Sequence, residues 1–76
     1  MKKEIFILTG YDKIKNKLST SKYYDIDIVI SIIKHYTPDL IPSENDFKFE
    51  LKTARNHVGY IILDSDDKYL WSIAYI

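Results

Sequence analysis

Seventy-six residues with 46% hydrophobic and 14% aromatic content make one small domain, 1–76, with no room for a second core. Eleven basic side chains balance eleven acidic ones, which argues against a nonspecific grip on nucleic acid through bulk charge. The lack of cysteine excludes disulfides and thiolate metal sites and fits a reducing cytoplasm.

The charge is unevenly spread. Residues 1–22 carry a balance of +4 and residues 23–50 a balance of −4, while the remainder cancels. The favoured reading is that opposed halves of one small fold attract each other; the alternative is a basic or acidic docking patch. Abundant Lys, Ile, Tyr, Asp and Asn beside a single arginine has the stamp of an AT-rich genome, as in low-GC bacteria and their phages. Met1-Lys2-Lys3-Glu4 leads into the short apolar run Ile5–Leu8, too brief for a signal peptide, and no stretch approaches a membrane span. A soluble cytoplasmic protein is expected.

In chain order, Lys3 to Thr9 reads as a first strand that Gly10 ends. Asp12 then caps a short helix in which Ile14 and Leu18 share a face. Lys22 to Tyr36 carries two patterns. Ile26, Ile28, Ile30 and Ile32 alternate as in a strand, while Ile26, Val29, Ile30, Ile33 and Tyr36 (or Thr37) form a helical stripe. The ends decide for a helix: Ser21 as cap, Asp25 and Asp27 at the positive end, Lys34 and His35 at the negative end, and Pro38 as the stop. Thr37 to Asp46, with two prolines, forms a crossing loop.

Phe47 to Ile76 reads as three antiparallel strands. In the first, Phe47, Phe49, Leu51 and Thr53 alternate with Lys48, Glu50 and Lys52. Asn56-His57 is a tight hairpin loop, Gly59 a mid-strand bulge or close approach, and Asp64-Ser65-Asp66-Asp67 a polar loop. These loops pair Leu63 with Lys68 and Tyr60 with Trp71. Phe47, Phe49, Leu51, Val58, Tyr60, Ile62, Tyr69, Trp71, Ile73 and Tyr75 then share an aromatic face. Ile61, Leu63, Leu70, Ser72, Ala74 and Ile76 fall on the other, beside the Lys48–Lys52 strand. A one-residue slip in either loop reverses a strand's faces. The expected fold is α+β, in the order β-α-α-β-β-β, with a mainly antiparallel four-stranded sheet and helices packed on its aromatic face.

The candidate chemistry is sparse. Asp64-Ser65-Asp66-Asp67 opens like a calcium loop, but Lys68, Tyr69 and Tyr75 occupy the positions that need a ligand, a glycine and a glutamate. His35 and His57 lack metal-ligand spacing, and Gly10 and Gly59 build no phosphate loop. Neither an enzyme, a cofactor nor a metal is implied. The aromatic stripe has almost no basic residues among it, which favours core over a base-stacking platform. The contacts expected to meet a partner are Arg55 and His57 at one loop, Asp64, Asp66 and Asp67 at the other, and Ile61 and Leu70 on the mixed face. The expected function is a non-enzymatic protein–protein interaction module that binds and blocks a protein partner, of the inhibitor, immunity or phage anti-defence type. Self-association into a homo-oligomer is a further expectation for so small a core. The alternative is a small nucleic-acid binder using the Lys13–Lys22 segment and exposed tyrosines.

Overall fold

The computed structural model describes residues 4–76, so Lys3 of the expected first strand lies outside the described residues. The elements are β1 (Phe6–Asp12), β2 (Lys17–Tyr23), α1 (Ile26–Tyr36), a 3-10 turn (Pro38–Leu40), α2 (Glu44–Arg55), β3 (Tyr60–Asp64) and β4 (Tyr69–Tyr75). All strand pairs are antiparallel in one sheet of order β2-β1-β4-β3. The α+β class, the four-stranded sheet and the two helices on one face agree with the sequence reading. Two segments exchange types, so the elements run β-β-α-α-β-β.

The first exchange is at Asp12–Leu18. Asp12 Oδ1 accepts from the amides of Ile14 and Lys15 at 3.0 Å each, the bonds a helix cap makes. Asn16 then enters the left-handed region at φ 53 and reverses the chain, and Asp12 pairs with Lys17 across a hairpin. A helix of this length needs a packing surface. Ile14 and Leu18 have none and stand 75% and 66% exposed. Gly10 does not end β1. It lies mid-strand, paired on both sides, with the Trp71 ring over it so closely that an added Cβ would come within 2.6 Å of Cζ3.

The second exchange is at Phe47–Thr53. Ser43 caps α2 by accepting from the Asp46 amide at 3.3 Å, with Glu44 and Asp46 in the first turn and Lys52 and Arg55 in the last. Phe47 and Leu51, one helical turn apart, are buried, whereas Phe49 is 72% exposed. Phe47 and Leu51 fit both a period of two and a spacing of four, so the pattern alone does not choose.

The segment at 22–36 is helical, but Lys22 and Tyr23 complete β2. The cap is therefore Asp25, which accepts from the Asp27 amide at 2.9 Å, in place of Ser21. The apolar stripe holds at Val29, Ile30 and Ile33, which are buried, and at Ile26, which is half-buried; of the two residues offered for its end, Thr37 is buried and Tyr36 is exposed. The loop expected at 37–46 contains the 3-10 turn and the start of α2.

Asn56-His57 is the closing turn of α2, where the amides of His57, Val58 and Gly59 all reach the Ala54 carbonyl, at 3.1, 2.8 and 2.7 Å. Gly59, at φ 85, turns the chain into β3. No atom lies within 4 Å of its would-be Cβ, so the backbone angle, not a close approach, requires glycine here. The β3–β4 loop is also tighter than expected. Ser65 and Tyr69 close it through a 2.9 Å bond, with Asp66 at φ 62. Leu63 consequently pairs with Trp71 and Tyr60 with Ala74. Moving the partner of Leu63 from Lys68 to Trp71 is an odd shift, and it reverses β3. Ile61 and Leu63 turn towards the helices, and Tyr60 and Ile62 turn away.

The core joins Phe6, Leu8, Trp71 and Ile73 of the sheet to Val29, Ile30 and Ile33 of α1, to Phe47 and Leu51 of α2, and to Ile41. At its centre Trp71 Nε1 donates to Thr37 Oγ1 at 3.0 Å, and the Thr37 hydroxyl donates to the Ile33 carbonyl at 2.8 Å. That relay satisfies the indole and ties the end of α1 to β4.

Candidate interaction surfaces

The face of the sheet away from the helices has no layer over it. Reading across β2, β1, β4 and β3, its rows are Leu18–Tyr11–Leu70–Asp64, Thr20–Thr9–Ser72–Ile62 and Lys22–Ile7–Ala74–Tyr60. Hydroxyls occupy the centre, where Thr9 Oγ1 and Thr20 Oγ1 lie 3.1 Å apart. Large apolar groups flank them, and Leu18, Tyr60, Ile62, Leu70 and Ile76 are all exposed. Lys22 and Asp64 stand at opposite corners.

The residues expected to meet a partner are dispersed. Leu70 is on the open face. Ile61 is not: the reversal of β3 packs it, half-buried, against the core, and Ile62 takes its place outside. Arg55 closes α2 with its guanidinium 4.5 Å from the Tyr75 ring centroid. The Tyr75 hydroxyl donates to Glu4 Oε1 at 2.7 Å, a bond that together with burial raises its pKa. His57 is exposed in the turn that follows α2. Asp64, Asp66 and Asp67 lie at the far end of β3 from Arg55 and His57, so the fold does not unite the two loops.

The acidic loop is partly neutralised from within. Lys13 Nζ donates to Asp64 Oδ1 at 2.5 Å and to the Asp66 carbonyl at 2.6 Å. That contact and the Asp66 amide hold the Asp64 carboxyl below its ordinary value. Asp12 is lowered too, chiefly by the amide of Lys15. Asp27 raises the Lys48 amine through a 3.0 Å ion pair, within the acidic half. Thus Lys13 ties the basic segment to the acidic β3–β4 loop, while Lys17 and Lys22 project from β2 without an ion pair among the described residues.

A second surface escaped the sequence reading because β2 was read as the end of one helix and the start of another. Beneath α1, β2 presents Ser19 and Ser21 where larger side chains would fill the layer. The result is a groove of about 470 Å³ between β2 and α1. Leu8 and Gly10 form its floor with Trp71, and Ser31, Ile32 and His35 of α1 form its wall. Tyr69 closes one end, stacked on Trp71 at 4.8 Å and 8°, with Tyr36 at 5.2 Å from Tyr69. Burial raises the pKa of Tyr69, whose hydroxyl donates to Asp12 Oδ2 at 3.3 Å. The alternating Leu18-Ser19-Thr20-Ser21 run was the available signal.

Among the described residues no three His, Asp or Glu side chains are grouped to hold a metal ion, and no helix is long and apolar enough to cross a membrane. Compared with protein-family models, curated proteins and solved structures, the chain matches none.

Proposed function

We propose that this protein is a non-enzymatic binding module that recognises a partner protein with the open face of its sheet and acts by covering that partner's surface. The observation that carries this reading is the set of exposed apolar side chains, Leu18, Tyr60, Ile62, Leu70 and Ile76, on a face with no layer over it. Apolar patches with a polar rim are where soluble proteins meet partners. The supporting core is already complete on the opposite face, so these side chains are not required for the fold. An inhibitor, immunity or phage anti-defence role in a bacterial cytoplasm is the biological form this activity takes in our reading. A second copy of the chain is a further candidate occupant of the face.

The rival reading, a nucleic-acid binder, draws support from Lys15, Lys17 and Lys22 on the exposed β1–β2 hairpin. One affinity experiment tests both. Wild-type protein and the Ile62→Lys/Leu70→Asp variant, each checked for an intact fold by circular dichroism, are immobilised and presented with host lysate. The expected result is a protein retained by the wild type, released by the variant, and bound again when purified. Equal retention by both would overturn the open-face reading. Salt-sensitive retention of the wild type on DNA or RNA would replace it with the rival, and a dimer in solution that Ile62→Lys dissociates would make the second copy the occupant.

A further inference from the structure

We propose a second binding site at the free edge of β2: an extended, acidic peptide segment of a protein partner adds there as a fifth strand and places alternate side chains in the groove beneath α1. This goes beyond the open-face reading and does not depend on it.

The direction of the backbone groups follows from the ladder. The Ile76 amide donates to the Ile5 carbonyl, so odd-numbered groups along β1 face β4 and even-numbered ones face β2. The β2 residues opposite the even positions, Lys17, Ser19, Ser21 and Tyr23, therefore point their amides and carbonyls inward. Leu18, Thr20 and Lys22 point theirs out, where the strand order places no neighbour. Unpaired edges are usually blunted by lysine, proline, bulges or inward charges. Here lysines stand only at the two ends, Lys17 and Lys22, and the Leu18–Ser21 stretch between them has none of these.

An added strand continues the pleat, so its residues beside Ser19 and Ser21 send their side chains to the helix side, into the groove. Its volume of about 470 Å³ lies in the range of ligand clefts, roughly 300–1,000 Å³. The opposite edge is a poorer host: β3 is a five-residue strand beside a cleft of about 190 Å³ walled by Asp46 and Glu50. Charge selects the occupant. Lys17 and Lys22 flank the β2 edge, repelling the same edge of a second copy and attracting a strand with Asp or Glu beside its apolar residues.

A phage-displayed random heptapeptide library panned on the full chain, followed by fluorescence anisotropy of the selected peptides, tests the site. We expect alternating large apolar side chains flanked by acids, with affinity that weakens as salt rises. Thr20→Pro removes an outward amide without touching the β1–β2 ladder and should weaken binding at least tenfold. Ser21→Trp fills the groove and should do the same, which keeps the test intact if the proline variant does not fold. Ile62→Lys on the open face should leave peptide affinity unchanged. The proposal is overturned if no peptide is selected, if the consensus is basic, or if Ile62→Lys abolishes binding while Ser21→Trp spares it. It is also overturned if the protein alone is a dimer that Thr20→Pro dissociates, since the edge would then belong to a second copy.

Discussion

The two faces of the sheet use similar side chains for opposite ends. On the covered face Phe6, Leu8, Trp71 and Ile73 are almost wholly buried, while on the open face Ile62 is 56% exposed. Alternate residues of one strand thus divide between holding the fold and remaining available. Apolar character alone does not distinguish the two; register does, and register is decided by the turns.

The most direct way to break this comparison is to truncate one isoleucine on each face. Ile73→Ala should cost about 2–5 kcal/mol, comparable with the whole stability of a domain this size, roughly 4–11 kcal/mol. Ile62→Ala should stay within about 0.5 kcal/mol. Urea unfolding of the two variants measures the difference, and equal losses would mean the open face is part of the core.

The glycines sharpen the same contrast. Gly10→Ala drives a methyl into the Trp71 ring, with an expected loss of about 1–3 kcal/mol from overpacking. Gly59→Ala meets no atom and should cost about 1 kcal/mol through its backbone angle alone. Only the first should perturb tryptophan fluorescence. Thr37→Val leaves the Trp71 indole N–H buried without an acceptor and should cost about 1–3 kcal/mol, again with a fluorescence change.

Away from both faces, Ser43→Ala removes the cap of α2 at a cost of about 1 kcal/mol, read by thermal melting. The smallest effect is expected in acid. Asp12 and Asp64 have folded-state values below the ordinary 3.8. Their stabilisation is therefore full above that value and declines as pH falls through the lowered ones. Asp64→Asn should flatten the decline in a pH series of unfolding midpoints, and an unchanged slope would remove the Lys13 contact from the account.

The legibility of the chain follows the same physics. α1 was readable because five apolar positions, an acidic start, a basic end and Pro38 all agree. α2 was not, since Phe47, Phe49 and Leu51 satisfy a period of two, although Ser43 three residues before Asp46 signalled a cap. Asp12 makes the amide bonds expected of a cap, but a hairpin uses them. For the surfaces, Leu70 was legible from alternation within β4, whereas Ile61 and Ile62 exchanged places through one shortened loop. The groove was invisible because it exists only between two elements, one of them unrecognised.

The sequence by itself determined the class: a cysteine-free α+β fold, α1 with its buried stripe, and the alternation of β4 that sends Tyr69, Trp71, Ile73 and Tyr75 inward. These are local properties, set by side-chain periodicity and end chemistry. Tertiary structure decided the rest. Whether Ile14 and Leu18 had a surface to pack on, whether Phe47 and Leu51 met the core from a helix, and which face of β3 turned outward all depend on contacts between segments distant in the chain. A short pattern compatible with two periods is resolved only by the partner that buries it.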